Sequence, residues 1–212
     1  MKHINININY PCKTAIKQAV AVLEKGGVIV YPTDTAYGLG VNAFDSKAVA
    51  RLYKIKLRKD KTPTHIICRD WKMISQICKT NARAKILYSK YFPGPLTIIL
   101  TRKKVSKVSP LLSGDLSTIG VRIPDCKVTQ EISKHFPFPY TTPSANRTGD
   151  MTPYCIDDVY RSLGKENVDL FLDAGKLPEK PTSTIVSLVG NNIEILRVGG
   201  VPENKILSLQ SS

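Results

Sequence analysis

The sequence lacks the long apolar runs of a membrane protein. A membrane-spanning helix needs about 20 predominantly apolar residues, and charges or prolines interrupt the longest apolar runs here. Residues 1–10 alternate isoleucine with asparagine, which predicts a strand. They contain neither the apolar core nor the cleavage site of an export signal. We therefore expect a cytoplasmic protein that makes no membrane contact.

The sequence also lacks any cysteine pairing pattern and any standard nucleotide-binding motif. Its five cysteines are odd in number, widely spaced and never arranged as Cys-x-x-Cys: Cys12, Cys68, Cys78, Cys126 and Cys155. This predicts free thiols in a reducing compartment, with neither a disulfide framework nor a zinc site. Neither Gly-x-Gly-x-x-Gly nor a P-loop motif is present. A bound nucleotide would therefore need a cavity of another kind.

Acidic residues are scarce. The 17 Asp and Glu stand against 31 Lys and Arg, which gives a formal net charge of +14. Such a charge attracts polyanions and anionic ligands. The basic residues are spread along the chain, and no helix-turn-helix, RNP-type or zinc-finger motif accompanies them. An RNA-binding or ribosome-maturation module is therefore an alternative function that depends on charge alone.

Periodicity predicts alternating helices and strands. Helices are expected over residues 14–25, 46–55, 72–76, 82–91, 127–135 and 156–163. Strands are expected over residues 28–31, 65–68, 96–101, 118–122, 168–172, 184–188 and 193–197, and the last two must pair antiparallel because their connection is short. We expect an α/β fold in which helices surround a twisted, mixed parallel and antiparallel sheet. Residues 1–212 contain no linker or repeat and are expected to form one domain.

Two segments carry candidate functional residues. The apolar run at residues 28–31 leads into Pro32-Thr33-Asp34-Thr35, and ligands commonly bind beyond the ends of such buried strands. The alternative is an ordinary turn that Asp34 closes. Lys56 and Arg58 follow the predicted helix 46–55, either as a solvated helix end that complements the helix dipole or as part of a cationic site.

Seven segments, in this order, resemble the YrdC-like family of threonylcarbamoyl-AMP synthases. They are residues 32–40, Lys56-x-Arg58, residues 93–97, residues 119–124, Ser144-Ala145-Asn146 with Gly149, residues 181–184 and residues 195–199. The resemblance covers roughly residues 15–206. Two positions depart from it, since the family often has proline and leucine where this sequence has Lys59 and Thr64. The resemblance implies the single-domain type, with a YrdC-like fold around a basic concave cavity.

The resemblance implies a nucleotidyltransferase reaction. L-threonine, bicarbonate or CO2, and ATP would condense to L-threonylcarbamoyladenylate and pyrophosphate. Magnesium would accompany ATP with few or no protein ligands, since Mg2+ prefers water and phosphate oxygens. The product would pass to a downstream threonylcarbamoyl transferase that modifies tRNA, and contact of this chain with tRNA or RNA is a further expectation. A rival, the carbamoyl-transfer domain of hydrogenase-maturation proteins, is disfavoured because the sequence has none of the attached zinc-finger motifs.

Site residues are carried over position by position. The implied catalytic pair is Lys56 and Arg58. Contacts with L-threonine are implied for Thr35, Arg122 and Thr142, and contacts with ATP for Arg58, Thr62, Thr118, Ser144, Asn146, Thr152 and Arg197. Guanidinium groups suit this chemistry because they bind carboxylate or phosphate through paired hydrogen bonds. His65 lies in a predicted strand beside the basic loop, and a structural role is favoured over catalysis.

Overall fold

Two mixed β-sheets form the centre of the protein. The computed structural model describes residues 2–58, 62–190 and 193–209. Within these ranges the strands are β1 (Lys2–Asn5), β2 (Ile29–Pro32), β3 (Tyr37–Gly40), β4 (Ile66–Ile67), β5 (Leu96–Thr101), β6 (Thr118–Arg122), β7 (Tyr140–Thr141), β8 (Leu170–Asp173), β9 (Thr184–Ser187) and β10 (Glu194–Arg197). One sheet has the order β1-β8-β2-β3, and the other has the order β10-β9-β5-β6-β4-β7.

The pairing confirms a mixed parallel and antiparallel arrangement. β8 runs parallel to β1 and β2, β4 runs parallel to β6, and β5 runs parallel to β9. The pairs β2–β3, β4–β7, β5–β6 and β9–β10 are antiparallel. The antiparallel pairing of the last two strands is as predicted, whereas the division into two sheets was not predicted.

Helices surround the sheets, as the apolar spacing predicts. They are α1 (Lys13–Glu24), α2 (Ser46–Ile55), α3 (Trp71–Ile77), α4 (Ala82–Tyr91), α5 (Lys127–His135), α6 (Ile156–Leu163) and α7 (Glu203–Leu207), with a 3-10 turn at Pro110–Ser113. One hydrophobic cluster joins α1 and α5 to β2 and β8, and a larger one lies among α2, α3, α4, α6 and the second sheet. No helix in the described part of the chain combines the length and apolar character needed to cross a bilayer.

The two ends of α2 determine where its basic residues lie. The Asp45 carboxylate caps the first turn by accepting hydrogen bonds from the amides of Lys47 and Ala48. At the other end, the amide of Arg58 donates to the carbonyl of Tyr53 (3.0 Å) across Leu57, which adopts a left-handed backbone with φ 47°. This tight termination sends the side chains of Lys56 and Arg58 into different surroundings.

Met1, in the predicted N-terminal strand, and Lys59, where the sequence departs from the family, lie outside the described residues.

Candidate functional site

A concave cavity opens where the ends of several strands meet the end of α2. It has a volume of about 750 Å³, counting its open mouth. Its lining comes from the β2–β3 turn, the segment after α2, β6, the loop after β7 and the β9–β10 pair: Thr33, Thr35, Ala36, Tyr37, Gly38, Arg58, Pro63, Thr64, His65, Arg122, Thr142, Pro143, Ser144, Thr152, Thr182, Ser183 and Arg197. Three arginines are among these residues, and none of the described lining residues is acidic.

Arg122 is the most deeply buried of the three arginines, at 6% exposure. One terminal nitrogen, Nη2, donates to the Asp34 carboxylate (2.5 Å) and to the Thr35 hydroxyl (3.1 Å). Burial lowers the pKa of Arg122, and the negative charge of Asp34 opposes that shift. The buried Nε has no hydrogen-bond partner among the described residues. Arg122 is therefore fixed by an ion pair on one edge and retains unused donors.

The turn between β2 and β3 holds Asp34 and Thr35 in place. The Thr33 hydroxyl donates to the carbonyl of Ala36 (2.7 Å) and accepts from the amides of Thr35 (3.1 Å) and Ala36 (3.2 Å). Asp34 accepts a second hydrogen bond, from the amide of Asp125 (3.2 Å). The turn that the sequence suggested is thus present, but Thr33 closes it, and Asp34 is instead the partner of Arg122.

Main-chain carbonyls hold the other two arginines. Arg58 donates from Nη2 to the carbonyl of Pro63 (2.6 Å), and its buried Nε has no partner among the described residues. Arg197 donates from Nε (3.1 Å) and Nη2 (2.8 Å) to the carbonyl of Ser183. Burial lowers the pKa of both groups, and the charge of Arg122 adds to the effect at Arg197. Since neither has a described carboxylate partner, their charges remain available to an anion.

Lys56 lies apart from the cavity lining. The side chain is only 2% exposed, and Nζ donates to the carbonyls of Ser144 (2.5 Å) and Asn146. Burial and the nearby charge of Arg58 lower the pKa of Lys56 to about 7, while Asp150 opposes the shift. Lys56 therefore fixes the loop that carries Ser144.

Asn146 also acts within that loop. Its side-chain oxygen accepts from the Ser144 hydroxyl (2.5 Å), and its Nδ2 donates to the carbonyls of Asp150 (2.8 Å) and Met151 (3.1 Å). These bonds join the Ser-x-Asn element to the segment that precedes Thr152. Asn146 itself is buried and is not among the lining residues.

Most of the residues predicted for the site line this one cavity. The structure brings together Thr35, Arg58, Arg122, Thr142, Ser144, Thr152 and Arg197. Thr118 begins β6, four residues from Arg122 and hence roughly 13 Å away along the strand. Thr62 is placed beside Tyr53, whose hydroxyl donates to its carbonyl (2.6 Å). Neither threonine is among the described lining residues, so their contacts with ATP remain predictions.

His65 lines the cavity but is not among the predicted binding residues. Its imidazole lies against Gly120 of the neighbouring strand, where an added Cβ would be 2.4 Å from the ring carbon Cδ2. Burial lowers the pKa of His65 to about 3, and the charges of Arg197, Arg58 and Arg122 act in the same direction. The imidazole is therefore neutral. Thr33, Thr182 and Ser183 also line the cavity. For Thr182 and Ser183, the only indication in the sequence was the family-like segment at residues 181–184.

The arrangement suits the binding of several negative charges. The cavity is lined by guanidinium donors and by many hydroxyl groups, and hydroxyls can donate to phosphate oxygens without adding charge. No group of three or more His, Cys, Asp or Glu side chains in the described ranges could hold a metal ion.

Comparison with known proteins places this geometry in context. A family model named Sua5_yciO_yrdC and described as "Telomere recombination" matches residues 21–199. A provisionally named threonylcarbamoyl-AMP synthase of Methanocaldococcus jannaschii is 36% identical over 194 residues, which cover 90% of each chain. The threonylcarbamoyl-AMP synthase of Pyrococcus abyssi is 30% identical over 90% of this chain, but the match spans only 56% of that protein.

Solved structures show the same relationship. The crystal structure of P. abyssi Sua5 complexed with L-threonine superposes with a TM-score of 0.92 at 28% identity, covering 99% of this chain and 61% of that one. Escherichia coli YciO gives a TM-score of 0.86 at 29% identity, covering 95% of this chain and 98% of the other. The fold expected from the sequence is confirmed by both.

Proposed function

Because the chain belongs to the Sua5/YciO/YrdC family, we propose that it is a threonylcarbamoyl-AMP synthase. As a nucleotidyltransferase, it would join L-threonine, CO2 from bicarbonate, and ATP, and release L-threonylcarbamoyladenylate and pyrophosphate. The observation that carries this proposal is the convergence of Arg58, Arg122 and Arg197 on one cavity whose described lining contains no acidic residue. The substrates bring a triphosphate and a carboxylate, and the carbamate intermediate adds another negative charge.

The threonine subsite is proposed at Arg122, Thr35 and Thr142. Arg122 is held in place by Asp34. Its remaining N–H groups can therefore donate to the substrate carboxylate without any reorganisation of the guanidinium. Thr35 and Thr142 line the same cavity, and their hydroxyls can bond the polar groups of an amino acid. The P. abyssi relative was crystallised with L-threonine, which supports this class of ligand.

The ATP subsite is proposed at Arg58, Arg197, Ser144 and Thr152. The unpartnered Nε of Arg58 is a donor that a phosphate oxygen would satisfy. Lys56 and Asn146 would act by fixing the loop of Ser144, and Lys56 is therefore proposed as a positioning residue more than as a phosphate ligand. Magnesium is proposed to arrive with ATP.

Catalysis would consist of positioning and charge stabilisation. The carbamate oxygen must lie in line with the α-phosphorus while pyrophosphate leaves, and fixed guanidiniums stabilise the charge that develops. No side-chain nucleophile is needed. The product is proposed to pass to a separate transferase that modifies tRNA, in keeping with the names of the relatives.

The test is an assay of pyrophosphate release in which each substrate is omitted in turn. Release should require ATP, threonine and bicarbonate together, and Arg122→Ala should abolish it. Arg161→Ala provides the matched control, because Arg161 lies on α6 with 76% of its side chain exposed. Release that continues without threonine would refute the proposal in favour of a nucleotide hydrolase. Tight binding of duplex RNA with no ATP-dependent reaction would instead favour the RNA-binding alternative.

A further inference from the structure

His65 occupies a place in the cavity that the proposed binding contacts do not use. It directly precedes β4, and Gly120 of β6 lies beside its ring. Any side chain at position 120 would collide with the imidazole, so the glycine makes room for the ring. Neither ring nitrogen has a hydrogen-bond partner among the described residues. A buried or half-buried imidazole normally bonds through at least one nitrogen, and His65 is one of the residues that line the cavity.

The charged groups around His65 come from three elements. Arg58 follows α2, Arg122 ends β6 and Arg197 ends β10, and all three line the same cavity. Asp34, the carboxylate partner of Arg122, also accepts a hydrogen bond from the amide of Asp125. The other described polar side chains of the lining are hydroxyls, which are very weak bases. His65 is thus the sole uncharged nitrogen base among the described lining residues.

The proposed reaction needs such a base. A carbamate forms when the threonine amine attacks CO2, and the nitrogen must then lose a proton. We propose that His65 is a catalytic residue that accepts this proton, an inference that rests on the function proposed above. The amine nitrogen donates its lone pair to the carbon of CO2, and one C–O π pair moves onto oxygen. The N–H proton passes to an imidazole nitrogen, leaving a carbamate and an imidazolium.

The surrounding arginines would make this base depend on bound substrates. Burial, together with the charges of these arginines, lowers the pKa of His65 to about 3, too low for an effective base. A triphosphate and a carboxylate would neutralise the same arginines, and an opposite charge within about 4–6 Å shifts a pKa by roughly 1–3 units. Bound ATP and threonine should therefore raise the pKa of His65 and make the imidazole a stronger base.

The first test is an NMR titration, which requires no turnover. The chain has three histidines, so the His65 resonance can be assigned by its loss in His65→Asn. With inorganic pyrophosphate and L-threonine bound, the pKa of His65 should rise by about 1–3 units. The exposed His135 on α5 serves as the internal control and should not respond. A pKa of His65 that stays at its ligand-free value in the loaded protein would overturn the proposal.

The second test is kinetic. His65→Ala should lower the turnover rate about 10²–10⁴-fold while retaining ATP affinity by calorimetry, and free imidazole in the buffer should restore part of the rate. Arg122→Ala should not be restored, and His135→Asn should resemble the wild type. An unaffected His65→Ala, or a loss that imidazole cannot restore, refutes the role of His65 alone. A wild-type protein that releases no pyrophosphate refutes the proposed synthase activity itself.

Discussion

Replacing Lys56 by methionine should destabilise the protein as well as inactivate it. Methionine retains most of the buried chain but removes both hydrogen bonds that Nζ donates to the carbonyls of Ser144 and Asn146. An unsatisfied buried polar group costs about 1–3 kcal/mol. The substitution also removes the cost of burying an ammonium group, so we expect the free energy of unfolding to fall by a net amount of about 2–4 kcal/mol. For a chain of this size, 1 kcal/mol corresponds to roughly 2–4 °C, so the unfolding temperature should fall by about 5–15 °C.

The pH dependence of this loss has a definite sign. The pKa of Lys56 is about 7 in the folded protein against 10.5 as its ordinary value, so between these pH values the unfolded chain binds more protons. The contribution of Lys56 to the free energy of unfolding of the wild type should therefore rise from pH 7 towards pH 10. A neutral amine still has two protons for the two carbonyls. The difference between wild type and Lys56→Met should thus be larger at pH 9 than at pH 6.

Denaturant unfolding at both pH values measures these effects. Lys54→Met is the matched control, because Lys54 is exposed on the same helix and should change the stability by less than about 0.5 kcal/mol. Arg58→Ala should lose activity with a smaller loss of stability, since the Arg58 side chain makes one described hydrogen bond, to the carbonyl of Pro63. A Lys56→Met protein as stable as the wild type would show that the Ser144 loop does not depend on the ammonium.

Four further variants test other parts of the site. Leu57→Gly should stabilise the protein by about 1 kcal/mol in denaturant unfolding, because Leu57 is 68% exposed and glycine adopts φ 47° without strain. Arg122→Lys should weaken threonine binding about tenfold to 150-fold in calorimetry. Ser144→Ala should instead weaken the binding of ATP more than the binding of threonine. Equal losses of affinity for both ligands in both variants would contradict separate subsites. Gly120→Ala should displace His65, lowering turnover and costing about 1–3 kcal/mol of stability, and an unchanged turnover rate would contradict that contact.

Local patterns were sufficient for the elements whose apolar faces are regular. Helices α2, α4, α5 and α6 and strands β5 and β6 begin and end at the predicted residues. Capping residues define the start of two of these helices, since the side chains of Asp45 and Asn81 accept hydrogen bonds from backbone amides in the first turns of α2 and α4. Such information is contained within about a dozen neighbouring residues, which is why the sequence alone conveys it.

Elements defined by distant contacts were missed. β3 contains Gly38 and Gly40, which suggested a loop, yet an added Cβ at either position would lie within 3.1 Å of the Tyr31 ring. The glycines therefore allow close packing against that ring inside a strand. β7 has two residues, too few for any periodicity, and pairs with β4 across more than seventy positions. The division into two sheets depends on the same nonlocal pairing.

The site shows the same limit. Resemblance to the family pointed to the arginines because each lies in a recognisable segment. It could not separate Lys56 from Arg58, because their different surroundings arise from the left-handed turn at Leu57. The place of His65 in the cavity lining could not be predicted, because a single histidine beside a short apolar strand gives no local signal. Its position makes sense only beside Gly120, more than fifty residues away in the sequence.

The means by which the arginines are held connects stability to function. Arg58 and Arg197 are fixed by carbonyls, and Arg122 alone has a described carboxylate partner. Burial lowers the pKa of all three guanidiniums, and the charge of Arg122 adds to this effect at Arg197, so holding these cations in one cavity is electrostatically unfavourable. Carboxylate partners would remove that cost but would also compete with anionic substrates. The carbonyls orient the guanidiniums without neutralising them, so under the proposed function the cost of holding these charges together would be recovered when the phosphates of ATP and the carboxylate of threonine bind.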